Sequence, residues 1–227
     1  MQELEREAAE ARIAKNTAAL VDELAGPHTF VLNLGVGIPT QVSSYLTNVN
    51  VFVQAEHGIL GVGPLADESE SDWDLINAGR QLVTEVPGCC YLSSADAFGM
   101  VRGGHVDATV LGAFCVDEDA NIANWIIPGG KQLGVGGAMD LVSGSKLVIA
   151  AMLHCQKNGA PKLVRHCSLP ITGYGEVDYI VTELCMMRYE GGRFVVFALA
   201  DGVTPEQLRQ VTEFEFDLAP DCRRMIA

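Results

Sequence analysis

Glu56 stands apart among the charged residues of this chain. It follows a largely apolar run, Val49 to Val53, that reads as a short buried strand, and it is followed by His57-Gly58-Ile59-Leu60-Gly61-Val62-Gly63-Pro64. A carboxylate at a strand end, without polar bulk beside it, can meet a bound ligand at close range. The glycines after it permit positive φ and a close backbone approach. The competing reading is a solvated turn carboxylate. A second group, Gly129-Gly130-Lys131-Gln132-Leu133-Gly134-Val135-Gly136-Gly137-Ala138-Met139-Asp140, puts five glycines within nine residues ahead of a helix. Such backbone presents N–H donors that can hold an oxyanion or a phosphate, the alternative being a long flexible loop. Gly35-Val36-Gly37 could also cradle a phosphate. Thr40 stands where a dinucleotide fingerprint needs its third glycine, so a Rossmann cofactor site is rejected.

The elements that must position these groups follow from periodicity. Residues 3–24 carry Ile13, Ala14, Thr17, Leu20, Val21 and Leu24 at helical spacing, and Gly26-Pro27 ends that helix. A strand over 29–34 runs into Gly35, and Pro39 opens a helical segment to Leu46. Strands are predicted at 49–55, 81–86, 106–113, 146–153, 177–184 and 193–200, and helices at 94–103 and 138–144. A last helix follows Thr204-Pro205-Glu206-Gln207, a capping-box pattern with proline at the first helical position. Alternation of this kind predicts an α/β fold, an open and mostly parallel sheet flanked by helices. Without an internal repeat or a clear linker, residues 1–227 read as one domain.

Composition narrows the partners. The 227 residues are 48% apolar and 19% charged, enough to bury a sizeable core, and no apolar run approaches the roughly 20 residues that span a bilayer. The formal net charge of -14 disfavours nucleic acid and anionic membrane as partners, but leaves an anionic small molecule open. The first residues are charged and helical rather than signal-like, so a cytoplasmic location is expected. Seven cysteines, odd in number and without a Cys-x-x-Cys, argue against a disulfide framework or a zinc site. The adjacent pairs His154-Cys155 and His166-Cys167 lack metal-ligand spacing, so no metal is expected and buried thiols are.

Several segments together resemble the B-type half of the family I coenzyme A transferases, the group with succinyl-CoA:3-ketoacid and acetate–acetoacetate CoA-transferases. They include Asn33 to Thr40, Glu56 to Pro64, Asp74 to Gly79, Ser93 to Phe98, Arg102 to Asp107, Val110 to Ala113, Ala123 to Gly129, Gly134 to Leu141 and Leu169 to Gly173, in family order. The resemblance implies the CoA-transferase (NagB/RpiA-like) fold. It implies a separate or fused A half as partner, commonly as an A2B2 heterotetramer, with the active site between the halves. Coenzyme A is then a cosubstrate, and no cofactor is tightly bound.

By the same resemblance Glu56 is the nucleophile of a ping-pong cycle through an acyl-glutamyl anhydride and a glutamyl-CoA thioester, and the Gly137 amide is an oxyanion donor. Asn33, Gly35, Gly37, Gly134, Gly136 and Ala138 line the substrate pocket. Arg80, where relatives commonly carry lysine, is assigned to CoA or carboxylate contact, with a surface ion pair as its other reading. His105 is expected to be structural, and Asp107 and Asp140 are expected to cap turns or helices. Many relatives read Ser-Glu-Asn-Gly where this chain has Ala55-Glu56-His57-Gly58, so the acyl pair is open within the acetoacetate, acetate and butyrate class. Two alternatives stand beside transfer: an acyl-CoA hydrolase using the same glutamate, and a non-catalytic, ligand-sensing partner chain.

Overall fold

The computed structural model describes residues 5–67, 69, 71–126 and 134–227. In chain order it comprises α1 (Arg6–Ala25), β1 (Phe30–Leu34), α2 (Ile38–Gln41), a 3-10 turn (Val42–Tyr45), β2 (Val51–Ala55), β3 (Ile59–Leu65), β4 (Val83–Tyr91), α3 (Ser94–Arg102), β5 (Ala108–Leu111), β6 (Cys115–Asp117) and β7 (Ile122–Ala123). The second half carries α4 (Ala138–Gly144), β8 (Leu147–Ala151), β9 (Leu163–Val164), β10 (Tyr179–Val181), β11 (Cys185–Glu190), β12 (Arg193–Leu199), α5 (Pro205–Arg209) and β13 (Asp217–Arg224).

Ten strands form one sheet in the order β13-β12-β11-β10-β8-β5-β1-β2-β3-β4, and β7-β6-β9 form a small second sheet. The centre, β2-β1-β5-β8-β10, is parallel throughout. Antiparallel hairpins flank it, β3 and β4 on one side and β11 and β12 on the other. Strand parity divides the core in two. Leu32, Val110, Ile149 and Ala151 pack with Ile13, Ala14 and Val21 of α1 on one face. Leu111, Val148 and Ala150 pack with Val101 of α3 and Leu141 and Val142 of α4 on the other. Burial of both faces is why the central strands read as apolar runs rather than as alternating ones.

The helix expected over 3–24 is observed from Arg6 within the described residues, and Gly26 (φ 52) closes it by donating its N–H to the Asp22 carbonyl at 3.2 Å. Ser93 caps α3 by accepting the Asp96 amide, and Thr204 and Gln207 form the predicted capping box of α5. Three expectations change. The glycine-rich segment after Glu56 is a strand, β3, whose glycines let β4 come close: a Cβ on Gly63 would lie 2.8 Å from the Thr84 carbonyl carbon. The single strand expected over 177–184 ends at Val181. There the Thr182 hydroxyl accepts the Leu184 and Cys185 amides, each at 3.2 Å, and turns the chain into β11. The helical segment from Pro39 tightens to a 3-10 turn and stops at Tyr45.

Candidate active site

The central strands all end on the same edge of the sheet. β2 and β5 lie on opposite sides of β1, so their connections diverge there, the place where open α/β sheets bind ligands. Gly35 follows β1, Glu56 follows β2, and Gly112 follows β5. Register then aligns three polar side chains across the sheet, because Asn33 pairs with Gln54 on one side and Thr109 on the other. All three are buried. Asn33 Nδ2 donates to Gln54 Oε1 at 2.9 Å and to Glu56 Oε2 at 3.1 Å, while Thr109 Oγ1 donates to Asn33 Oδ1 at 3.2 Å. Gln54 Nε2 reaches the Ala97 carbonyl of α3 at 3.5 Å. Glu56 shares the parity of Gln54 and leaves the strand toward the same helical layer.

Glu56 sits in a three-residue hairpin between β2 and β3. Gly58 (φ 131) closes it with an N–H donated to the Ala55 carbonyl at 2.9 Å. A Cβ at Gly58 would meet the Leu92 carbonyl oxygen at 2.2 Å, so no other residue fits. His57 is exposed, and its Nε2 donates to the Ile76 carbonyl at 3.0 Å, tethering the segment that leads to Arg80. Ala55 is buried within the strand.

The α3/α4 layer supplies the opposite wall. Arg102 of α3 ion-pairs with Asp140 in the first turn of α4 at 2.7 Å, holding the two helices together. Gly137, the N-cap of α4, then lies against Phe98 and Glu56. A Cβ on it would fall 2.7 Å from Phe98 Cζ and 3.8 Å from Glu56 Cγ. The backbone at the end of the glycine loop therefore abuts the Glu56 side chain. Ala138 already donates its amide to the Val135 carbonyl at 3.2 Å.

The other predicted residues spread along the rim. Gly35 donates to the Val110 carbonyl at 2.9 Å, and Gly37 (φ 94) precedes α2. Gly134 and Gly136 are exposed at positive φ. Arg80 occupies an exposed left-handed turn (φ 62) after Gly79, which itself lies against Thr40 of α2. Gly129, Gly130 and Lys131 lie outside the described residues. His105 is exposed, over Gly103. Asp107 is not a cap. Its carboxylate takes the Val31 amide at 2.8 Å and the Lys146 ammonium at 2.7 Å, clasping β1 to the start of β8.

Sequence reasoning passed over four residues. Gln54 and Thr109 were visible as polar intrusions in apolar strands. Asn124 and Lys162 had no such signal, yet they line a cleft of about 710 Å³ with Gly37, Gly112 and Met152, at the carboxyl ends of β1, β5 and β8. Burial holds the Lys162 ammonium below its ordinary range, with nearby Glu183 acting the other way. Among the described residues no cluster of His, Cys, Asp or Glu could hold a metal ion. None of the described helices is long and apolar enough to cross a membrane.

A family model described as Coenzyme A transferase matches residues 30–210. The B subunit of succinyl-CoA:3-ketoacid coenzyme A transferase from Helicobacter pylori is 43% identical over 187 residues, spanning 82% of this chain and 90% of the relative. The beta subunit of acetate CoA-transferase from Escherichia coli K12 is 44% identical over 192 residues, 84% and 88% of the two chains. An acyl-CoA transferase of E. coli O157:H7, solved as a thioester complex with CoA, superposes with a TM-score of 0.72 at 18% identity. That match covers all of this chain and 44% of the other, and at this identity it speaks for the fold alone.

Proposed function

This chain belongs to the coenzyme A transferase family, and from that membership we propose that it is the B subunit of a heteromeric enzyme moving CoA from a short-chain acyl-CoA to a carboxylic acid. The observation that carries the mechanism is the placement of Glu56, fixed by Asn33 at 3.1 Å and faced by the Gly137 backbone.

In this reading the Glu56 carboxylate attacks the thioester carbonyl and expels CoA thiolate, leaving an acyl-glutamyl anhydride. The thiolate attacks the glutamyl carbonyl, releases the first carboxylic acid and forms a glutamyl-CoA thioester. The incoming carboxylate attacks that thioester and leaves as the new acyl-CoA by the same two steps in reverse. A carboxylate nucleophile is ionised at neutral pH and needs no general base. The neighbouring His57 is free of that duty and is engaged with the Ile76 carbonyl instead. Each attack makes an oxyanion, for which the Gly137 amide is the donor on this side. Asn33 fixes the carboxylate direction, and the buried Gln54–Asn33–Thr109 row fixes Asn33.

The cleft beside Gly37 takes the remainder of the substrate, with Lys162 as a fixed positive charge for a carboxylate or phosphate. Gly35, Gly134, Gly136 and Ala138 shape its rim, and Arg80 contacts CoA from the adjoining turn. The partner is an A subunit, in an A2B2 assembly. Its acceptor is of the acetoacetate, acetate or butyrate class.

The test is steady-state kinetics on the complex co-purified with its A subunit, using acetyl-CoA and succinyl-CoA with acetoacetate or acetate as acceptor. Parallel double-reciprocal lines and dependence on the acceptor are expected. Equal consumption of acyl-CoA without an acceptor would replace transfer by hydrolysis.

A further inference from the structure

Away from Glu56, two thiols stand in contact. Cys115 opens β6 and is buried at 6% exposure, while Cys167 lies half-buried beyond β9. Their sulfurs are 3.1 Å apart, within hydrogen-bonding contact. The pair is held from outside: the Cys167 amide donates to Asp117 Oδ2 at 2.9 Å, and β6 pairs with β9 through Val116–Leu163 and Asp117–Val164. A disulfide needs sulfurs roughly 2.05 Å apart, so the two must approach by about 1 Å for the bond to form.

We propose that Cys115 and Cys167 form a reversible two-electron thiol–disulfide couple, a modification site separate from the Glu56 centre, with a hydroperoxide as oxidant. Deprotonation begins at Cys115, which hydrogen bonding with Cys167 holds below the ordinary thiol range against the effect of burial; Asp117 opposes it and Lys162 adds a favourable charge. The Cys115 thiolate attacks the peroxide oxygen, giving a sulfenic acid and hydroxide. Cys167 sulfur attacks the sulfenic sulfur, and its proton and the departing hydroxide leave as water. Two thiols and one hydrogen peroxide thus become one disulfide and two waters. The half-exposed Cys167, between exposed His166 and Ser168, gives the oxidant its way in.

The position gives the bond a structural consequence. The closed loop from 115 to 167 contains β7, Asn124, the segment leading to Gly137, α4 and β8. Asn124 is itself tied to Thr172, just past Cys167, by the Thr172 hydroxyl at 2.7 Å. Oxidation therefore staples the small sheet that carries one side of the cleft. The proposal does not depend on the transferase reading, because its test needs no turnover.

The experiment treats the complex with its A subunit with one equivalent of hydrogen peroxide, removes the peroxide, blocks free thiols with N-ethylmaleimide in denaturant so that buried thiols react, and maps peptides by mass without reduction. Blockable thiols on this chain are expected to fall from seven to five, with a linked 115–167 peptide that dithiothreitol reverses. Cys167→Ser should stop the link and leave Cys115 as a sulfenic acid trapped by dimedone, whereas Cys90→Ser should leave the link intact. Full alkylation of Cys115 and Cys167 after peroxide, or preferential linkage of any other pair in the wild-type complex, overturns the proposal. Because wild-type mapping alone decides it, a poorly folding Cys167→Ser variant does not shelter it.

Discussion

Two buried polar networks sit at the carboxyl ends of the central strands, and they end differently. In the first, Gln54, Asn33 and Thr109 pass hydrogen bonds along the register of β2, β1 and β5 and finish on the half-exposed Glu56. In the second, His154 lies fully buried between the Thr182 hydroxyl at 3.0 Å and the Thr212 hydroxyl at 3.1 Å. Thr182 spends its remaining capacity on the turn into β11. The second network closes on itself and joins β8, β10 and the segment before β13; the first delivers a charge to solvent. Burial of polar groups is costly in both cases unless each is bonded. What separates a site from a fastening is the open end.

The contrast can be broken most severely at that open end. Glu56→Gln keeps an oxygen for Asn33 and should leave the urea midpoint at the wild-type value, while turnover by the A-plus-B complex falls by about 10⁴-fold or more. A folded variant with wild-type turnover would contradict the assignment.

The closed network should show itself in acid instead. Burial depresses His154 from 6.5 to about 4. Below pH 6.5 the unfolded chain takes up a proton that the folded chain refuses, so this contribution is complete above pH 6.5 and is lost as pH falls toward 4. The loss reaches about 3 kcal/mol at the lower end. Burial raises Asp178 and Glu183, and those two act in the opposite sense over the carboxylate range. Urea titrations of wild type and His154→Gln at several pH values isolate the histidine: the variant is less stable at pH 7, and the gap narrows on acidification. A gap of constant size would remove the histidine from the acid response.

Gly137→Ala sharpens the comparison from the other wall. The added methyl collides with Phe98, shifting the loop away from Glu56 and reducing turnover by about 10²-fold with a smaller effect on stability. The smallest effect belongs to Thr109→Val, which leaves Asn33 Oδ1 without its donor. It should cost about 1 kcal/mol in unfolding free energy and less than about tenfold in turnover.

Much of this arrangement was legible in the residues. The central strands announced themselves as apolar runs, α3 and α4 by their periods, and α5 by its capping box. Glu56 was singled out because a charge at a strand end is unusual, and the loop before α4 because glycines accumulate there; Gly137 within it came from the family resemblance. Neither reading foresaw that strand register would place Asn33 beside both Gln54 and Thr109, since register is a long-range property. β3 was hidden by its own glycines, which local propensity counts against strands although here they admit β4. β11, β13 and the small β7-β6-β9 sheet were missed because they are short or depend on partners far along the chain. Lys162 carries no signal of a site in Pro161-Lys162-Leu163-Val164. Only the approach of β6 to β9 turns it into the cleft.

The proposed cycle stands or falls on a covalent bond between Glu56 and CoA during turnover. The complex is mixed with acetoacetyl-CoA and no acceptor, quenched with borohydride and digested, and the peptide carrying residue 56 is sequenced by mass. Reduction of a glutamyl thioester to the alcohol at residue 56 alone, absent in Glu56→Gln, is the predicted result. An unmodified residue 56 in a complex that still exchanges CoA, or a modification placed elsewhere, would contradict it.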